Sequence, residues 1–205
     1  MLDPVSRALL GTGCWVESCL FVFLAYALSL PELRFLEKIT ARWRMRKEYK
    51  KMQRWADHCP VNFLHHRYLM EAELARHANH YKRAAMLYDQ AIETAQKNEY
   101  PQYEALCNEW AACFYLAENQ RPQACLYLKK AHYCYQRWGA VAKVKQLNDQ
   151  YADLLAASGE GVGSDAHRYP VTLQQLDFHT LRKSMELVTS ARDIEQILQQ
   201  VMPSC

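Results

Sequence analysis

The sequence predicts an all-α protein: an antiparallel helix-hairpin solenoid, followed by a flexible linker and an amphipathic C-terminal helix. Three observations lead there. The 205 residues include only 6 Gly and 7 Pro, which suits long helices joined by short turns better than many short strands. Ala, Leu, Gln, Glu, Lys and Arg dominate the middle of the chain, and all are good helix formers. The middle also repeats itself at an interval of 40 residues.

Displaced by 40, Phe63 falls on Tyr103, Met70 on Trp110, Ala72 on Ala112 and Leu74 on Phe114. Ala84 falls on Ala124, Tyr88 on Leu128 and Ala91 on Ala131. Small residues meet small ones and large residues meet large ones. The repeating unit is read as two antiparallel helices that approach closely at the alanines and are filled by the large residues. That is the logic of tetratricopeptide-like hairpins, whose usual period is about 34 residues. The surplus is assigned to a longer turn around Asn98–Gln102. A lone hairpin cannot bury its apolar face, so neighbours must stack on it. The helices before residue 60 and after residue 140 are expected to flank the repeats.

Each element follows from local signals. An apolar run, CWVESCLFVFLAYALSL at 14–30, predicts the first helix. Its unbroken apolar part, Cys19–Leu30, is short of the roughly 20 residues that span a bilayer, and few cations precede it; a buried core helix is the reading. A second helix over 32–57 carries Met45, Tyr49, Met52 and Ala56 as one apolar stripe. Arg42, Arg44, Arg46, Lys47, Lys50, Lys51 and Arg54 form its charged outer face, with a phosphate-binding patch as the competing reading. Further helices are predicted over 62–78, from His80–Tyr81 to Lys97, from Pro101 to Ala117, from Pro122 to Trp138 and over 140–157. Pro101 and Pro122 suit helix starts, and Gly139 suits a C-cap.

The tetratricopeptide-like unit is assigned to 1–157 and the linker to 158–171, where SGEGVGSDAHRYP holds three of the six glycines. An amphipathic arm follows over 172–205. Its candidate dimer face is Leu181, Met185, Val188, Ile194, Leu198 and Val201, near heptad spacing but interrupted at Ser190–Ala191. A stripe of this kind needs a partner surface. The expected outcome in sedimentation is a weak, concentration-dependent dimer that becomes monomeric when the chain is cut after Ala157. A full-length chain monomeric at high concentration contradicts it.

Composition excludes several function classes. The formal net charge is +3, too small to favour nucleic acid or membrane as partner. The eight cysteines form no CxxC pair, and several fall on apolar helix faces, where free Cys acts as a small hydrophobe. A reduced, cytoplasmic protein is the reading. No phosphate loop follows Gly11-Thr-Gly13, and no GxSxG, HExxH or kinase motif is present. His65, His66, His77, His80, His132 and Cys134 are the candidates for a metal, but no spacing forces them to converge. His77 and Tyr81 are taken to share a helix face. No catalytic residue, cofactor or metal is therefore assigned. The candidate partner groove is aromatic: Tyr115, Tyr127, Tyr133, Tyr135 and Trp138, with solenoid core as the alternative.

Five segments, WADHCP (55–60), NFL (62–64), AAMLYDQAI (84–92), ALCNEWAACFYLA (105–117) and LYLKKAHYCYQRWGAVAKV (126–144), resemble one family. It is the helical region of large bacterial multi-sensor signal transduction kinases. There, a serine/threonine-kinase-like domain and an AAA-type ATPase domain precede the helical array, and a GAF sensor and a histidine kinase follow it. The stretch CYQRWGAVAKV carries the resemblance most specifically, and the likeness covers about 15–202. It implies a non-catalytic scaffold or relay role in signal transduction and carries over no catalytic residue. It also implies flanking kinase and sensor domains, or protein partners, as the contacts of this region, and makes the helix around Leu176–Met202 the lead into a GAF domain. The chain is accordingly read as a fragment of such a kinase, a split gene or a stand-alone interaction adaptor.

Overall fold

The computed structural model describes residues 13–156. Among them every regular element is an α-helix. The order is α1 (Gly13–Ser29), α2 (Phe35–His58), α3 (Pro60–His77), α4 (Tyr81–Lys97), α5 (Pro101–Ala117), α6 (Arg121–Trp138), α7 (Val141–Gln150) and α8 (Ala152–Ala156). The linker and the arm, with its candidate dimer face, lie outside the described residues.

Proline sets several boundaries. Pro60, Pro101 and Pro122 each sit in the first turn of a helix, where the missing N–H costs nothing. The C-terminal boundaries share one turn. Asn79, Glu99 and Asn119 have φ of 60°, 58° and 58°, and Gly139 has φ of 80°. In each case the next residue's N–H reaches back five positions: His80 to Ala75 (2.9 Å), Tyr100 to Ala95 (3.0 Å), Gln120 to Tyr115 (2.8 Å) and Ala140 to Tyr135 (3.0 Å). These bonds satisfy carbonyls that the helix end leaves open. The turns are alike, so the turn near Asn98–Gln102 is not the longer one. The surplus of the 40-residue period is spent on helices of 17 and 18 residues.

Glycine suits the left-handed region at Gly139, and asparagine tolerates it. Glu99 alone places a longer side chain there. Glu99→Gly is expected to stabilise the fold by about 0.5–1 kcal/mol, the relief of left-handed crowding less the entropy glycine adds to the unfolded chain. Thermal denaturation checks it: an unchanged or lower Tm contradicts it.

Six of the seven 40-residue pairs are matched in burial, and Leu74 is half-buried where Phe114 is buried. Met70 and Trp110, Ala72 and Ala112, Ala84 and Ala124, Tyr88 and Leu128, and Ala91 and Ala131 are all buried. Helix α3 packs along α4, α5 packs along α6, and α4 and α5 join the two hairpins. One apolar cluster runs from α1 to α5 and includes Leu20, Phe23, Met45, Met70, Tyr88 and Phe114. A second joins α5 and α6 to Leu147 of α7 and Leu154 of α8.

Helix α1 contributes Cys19, Leu20, Phe23, Leu24 and Ala27 to the first cluster, so one face of its apolar run is core, while Phe21 and Leu28 are exposed. No helix among the described residues is long and apolar enough to cross a membrane. The stripe expected on α2 is also inward: Met45, Met52 and Ala56 are buried, and the half-buried Tyr49 hydroxyl donates to Glu71 of α3 (2.6 Å). Two expectations need correction. His77 closes α3 and Tyr81 opens α4, so no helix face is common to them. The last predicted helix is two pieces, because the chain bends at Tyr151 (φ −127°, ψ 30°). The bend turns α8 onto α6, where the Cys125 thiol donates to the Leu154 carbonyl (3.0 Å).

Candidate functional site

Among the described residues, three clusters of buried polar groups each join two or more helices. In the first, Glu73 of α3 is fully buried. It accepts a hydrogen bond from the Tyr88 hydroxyl of α4. It is also paired with Arg76 (3.3 Å) and lies 3.7 Å from His77 Nε2. Burial raises the Glu73 carboxyl above the ordinary carboxylate range, against the pull of Arg76 and Tyr88. Burial and then Glu73 push the Tyr88 hydroxyl well up. His77 is lowered to about 4, first by burial and then by Arg76. The cluster fastens the α3–α4 hairpin from inside.

The second cluster performs the same task in the next hairpin. Glu109 of α5 accepts from Tyr135 of α6 (2.7 Å) and from Lys143 of α7 (2.7 Å). One carboxylate thus ties three successive helices. Burial, then Glu109, raises the Tyr135 hydroxyl.

The third cluster is a stack of rings. His65 and His66 of α3 are both buried, with ring centres 4.1 Å apart. Tyr103 of α5 lies 4.9 Å from His65 and 4.3 Å from His66, and Tyr100 lies 5.0 Å from His65. The Tyr103 hydroxyl reaches Glu17 of α1 (2.9 Å), and that of Tyr100 reaches Asn62 (2.8 Å). Burial lowers His65 to about 4. Burial and then His65 lower His66 well below its ordinary range, partly offset by the Asn62 backbone. Both rings are neutral near pH 7, and the cluster joins α1, α3 and α5.

No cluster of three or more His, Cys, Asp or Glu among the described residues is placed to hold a metal ion. Burial raises the Cys107 thiol, which depresses its thiolate fraction. Cys113 and Cys134 are raised for the same first reason.

The five aromatic residues assigned to a groove are not brought together. Tyr115 and Tyr127 stack, with ring centres 5.2 Å apart and planes at 11°, and the Tyr127 hydroxyl donates to Asp89 of α4 (2.6 Å). Tyr135 is only 3% exposed and points to Glu109, so it is core. Tyr133 and Trp138 are exposed; Arg137 lies over the Tyr133 ring at 5.8 Å. The cause is the helix period: six residues at about 100° each put Tyr133 some 240° round α6 from Tyr127. Glu73 and Glu109 were missed as organising residues. Each is a carboxylate within an apolar helical run, LMEAELA and CNEWAACF, which is the signal that marks them.

No protein-family model matches the chain, and no solved structure matches it. A curated protein, hybrid signal transduction histidine kinase G of Dictyostelium discoideum, is 41% identical over 61 residues, which is 30% of this chain. The chain spans about 2% of that protein's length. The similarity links a part of this chain to a signal transduction histidine kinase.

Proposed function

We propose that this chain is a non-catalytic scaffold and relay module in signal transduction, built as a tetratricopeptide-like helix-hairpin solenoid over 1–157. The observation that carries the reading is a connected set of polar ties between helices. Tyr103–Glu17 joins α1 to α5, Tyr49–Glu71 joins α2 to α3, and Tyr88–Glu73 joins α3 to α4. Tyr127–Asp89 joins α4 to α6, and Glu109 joins α5, α6 and α7. Groups spent in this way hold helices; they are not aimed into a cleft where a substrate is handled. A stack tied into one connected network transmits a displacement along its length instead of absorbing it. The similarity to a histidine kinase supplies the signalling context. Flanking kinase or sensor domains, or separate proteins, are then the partners, and the arm over 172–205 is the outgoing segment.

Two measurements test this reading. Purified chain is expected neither to hydrolyse ATP nor to phosphorylate itself; turnover that survives purification and scales with protein removes the non-catalytic part. Glu109→Gln is expected to raise amide exchange several-fold in α6 and α7 as well as in α5, because the carboxylate ties all three. An increase confined to the turn around residue 109 contradicts the relay.

A further inference from the structure

Helix α2 presents an outer face that no other described element covers. By helical count, Phe35, Leu36, Ile39, Arg42, Trp43, Arg46, Lys47, Lys50 and Arg54 fall within an arc of about 140°, opposite the buried Ala41, Met45, Met52 and Ala56. All nine are exposed. The first half of the face is apolar, with Phe35 76%, Leu36 74%, Ile39 51% and Trp43 63% exposed. The second half is cationic.

Charge on this helix is divided in a particular way. Each of its three acids already has a cation: Glu37 has Arg34, Glu48 has Lys51 and Asp57 has Arg67. Among the described residues, none of Arg42, Arg46, Lys47, Lys50 and Arg54 lies within ion-pair distance of a carboxylate; Lys47 rests over the Trp43 ring at 5.5 Å. Five cations therefore face outward beside four large apolar side chains, on a ridge about 28 Å long. A net charge of +3 argued against a membrane partner, but the distribution of that charge along α2 points the other way.

We infer that the outer face of α2 docks this protein peripherally on an anionic phospholipid bilayer. Trp43, Ile39, Leu36 and Phe35 enter the boundary between headgroups and acyl chains, and the cations from Arg42 to Arg54 meet lipid phosphates. The two halves together select this partner. A nucleic acid engages the cations and leaves the apolar end in water. An acidic protein helix needs a groove to receive its own apolar face, and α2 offers a convex ridge. A bilayer surface takes a ridge of either kind, and apolar insertion with attraction to anionic headgroups is the pair of signals that stable peripheral binding requires. This goes beyond the scaffold reading and does not depend on it: docking would place the module at a membrane surface whatever it relays.

The test uses the full chain and sedimented vesicles of phosphatidylcholine, with and without about 30% phosphatidylserine. Binding is expected to the anionic vesicles, at least tenfold weaker to the neutral ones, and reduced as salt rises. The variant R46Q/K47Q/K50Q/R54Q is expected to lose at least tenfold in affinity and most of the salt dependence. The variant F35S/I39S/W43S is expected to lose as much while keeping the salt dependence. Circular dichroism confirms that both remain folded; since every altered side chain is exposed, they should. Four results overturn the proposal: no binding to anionic vesicles at low salt, equal binding to neutral vesicles, binding unchanged in both variants, or capture of duplex DNA or an acidic protein without capture of vesicles.

Discussion

Lowering the pH from 7 to 5 is expected to destabilise the fold by at least about 2 kcal/mol, through His65 and, in the same direction, His66. Both are held below the unfolded value of about 6.5 by burial. The unfolded chain therefore takes up protons first. The neutral pair contributes its full stability above about pH 6.5, and that contribution shrinks as the pH falls toward the folded value of about 4. At pH 5 His65 accounts for about 2 kcal/mol, and His66 acts with the same sign. The rings packed against the pair, Tyr100, Tyr103 and Phe63, carry no charge, so burial sets the sign, and Glu17 is engaged by the Tyr103 hydroxyl. His77 adds to the loss in the same window. Glu73 opposes it, because a raised carboxyl takes its proton on the folded side first. The measurement is urea unfolding at pH 5, 6 and 7 for the native chain and for His65→Phe/His66→Phe. The native unfolding free energy should fall by at least about 2 kcal/mol over that range, and the double variant should show a much shallower slope. Equal slopes contradict the assignment.

Glu73→Ala is expected to cost about 3–5 kcal/mol. It leaves Arg76 as a largely buried cation without its carboxylate, and removal of one partner from a buried pair costs about that much. It also leaves the buried Tyr88 hydroxyl without an acceptor, at about 1–3 kcal/mol. Tyr88→Phe removes that second cost in the same background. The double variant should therefore be less destabilised than the sum of the two single ones, with a coupling on the order of 1–3 kcal/mol. Strict additivity in denaturant unfolding would show that the two side chains act separately.

The helical layout was legible because local chemistry dictates it. Proline at a first turn, glycine after Trp138 and alanines recurring every 40 residues act within a few positions of where they stand. The burial of Ala84 and Ala91, like that of Met45 and Met52, follows from the 3.6-residue period alone. What escaped depends on which helix covers which. His65 and His66 are adjacent polar residues, and nothing in their own turn of helix says that Tyr100 and Tyr103 close over both. Tyr135 and Tyr133 are two positions apart and chemically alike, yet one is core and the other exposed, because Glu109 of a different helix faces only the first. The bend at Tyr151 has no breaker residue to announce it. Its cause is tertiary, since Leu154 finds its place against α6.

The left-handed residues at 79, 99, 119 and 139 have a consequence for how this molecule can grow or shrink. They mark off equal segments of 20 residues, each holding a helix of about five full turns. Because the segments are equal in length, each helix stands in nearly the same register to the turn that follows it. Duplicating or excising one 40-residue pair of segments preserves the register of the contacts beyond it. Adding or losing a single residue swings the downstream helices by about 100° and turns the faces that meet Glu73, Glu109 and the paired histidines away from their partners. Length in this architecture is quantised: gene-level changes are tolerated in steps of forty, and a shift of one residue inside a helix acts on every contact after it.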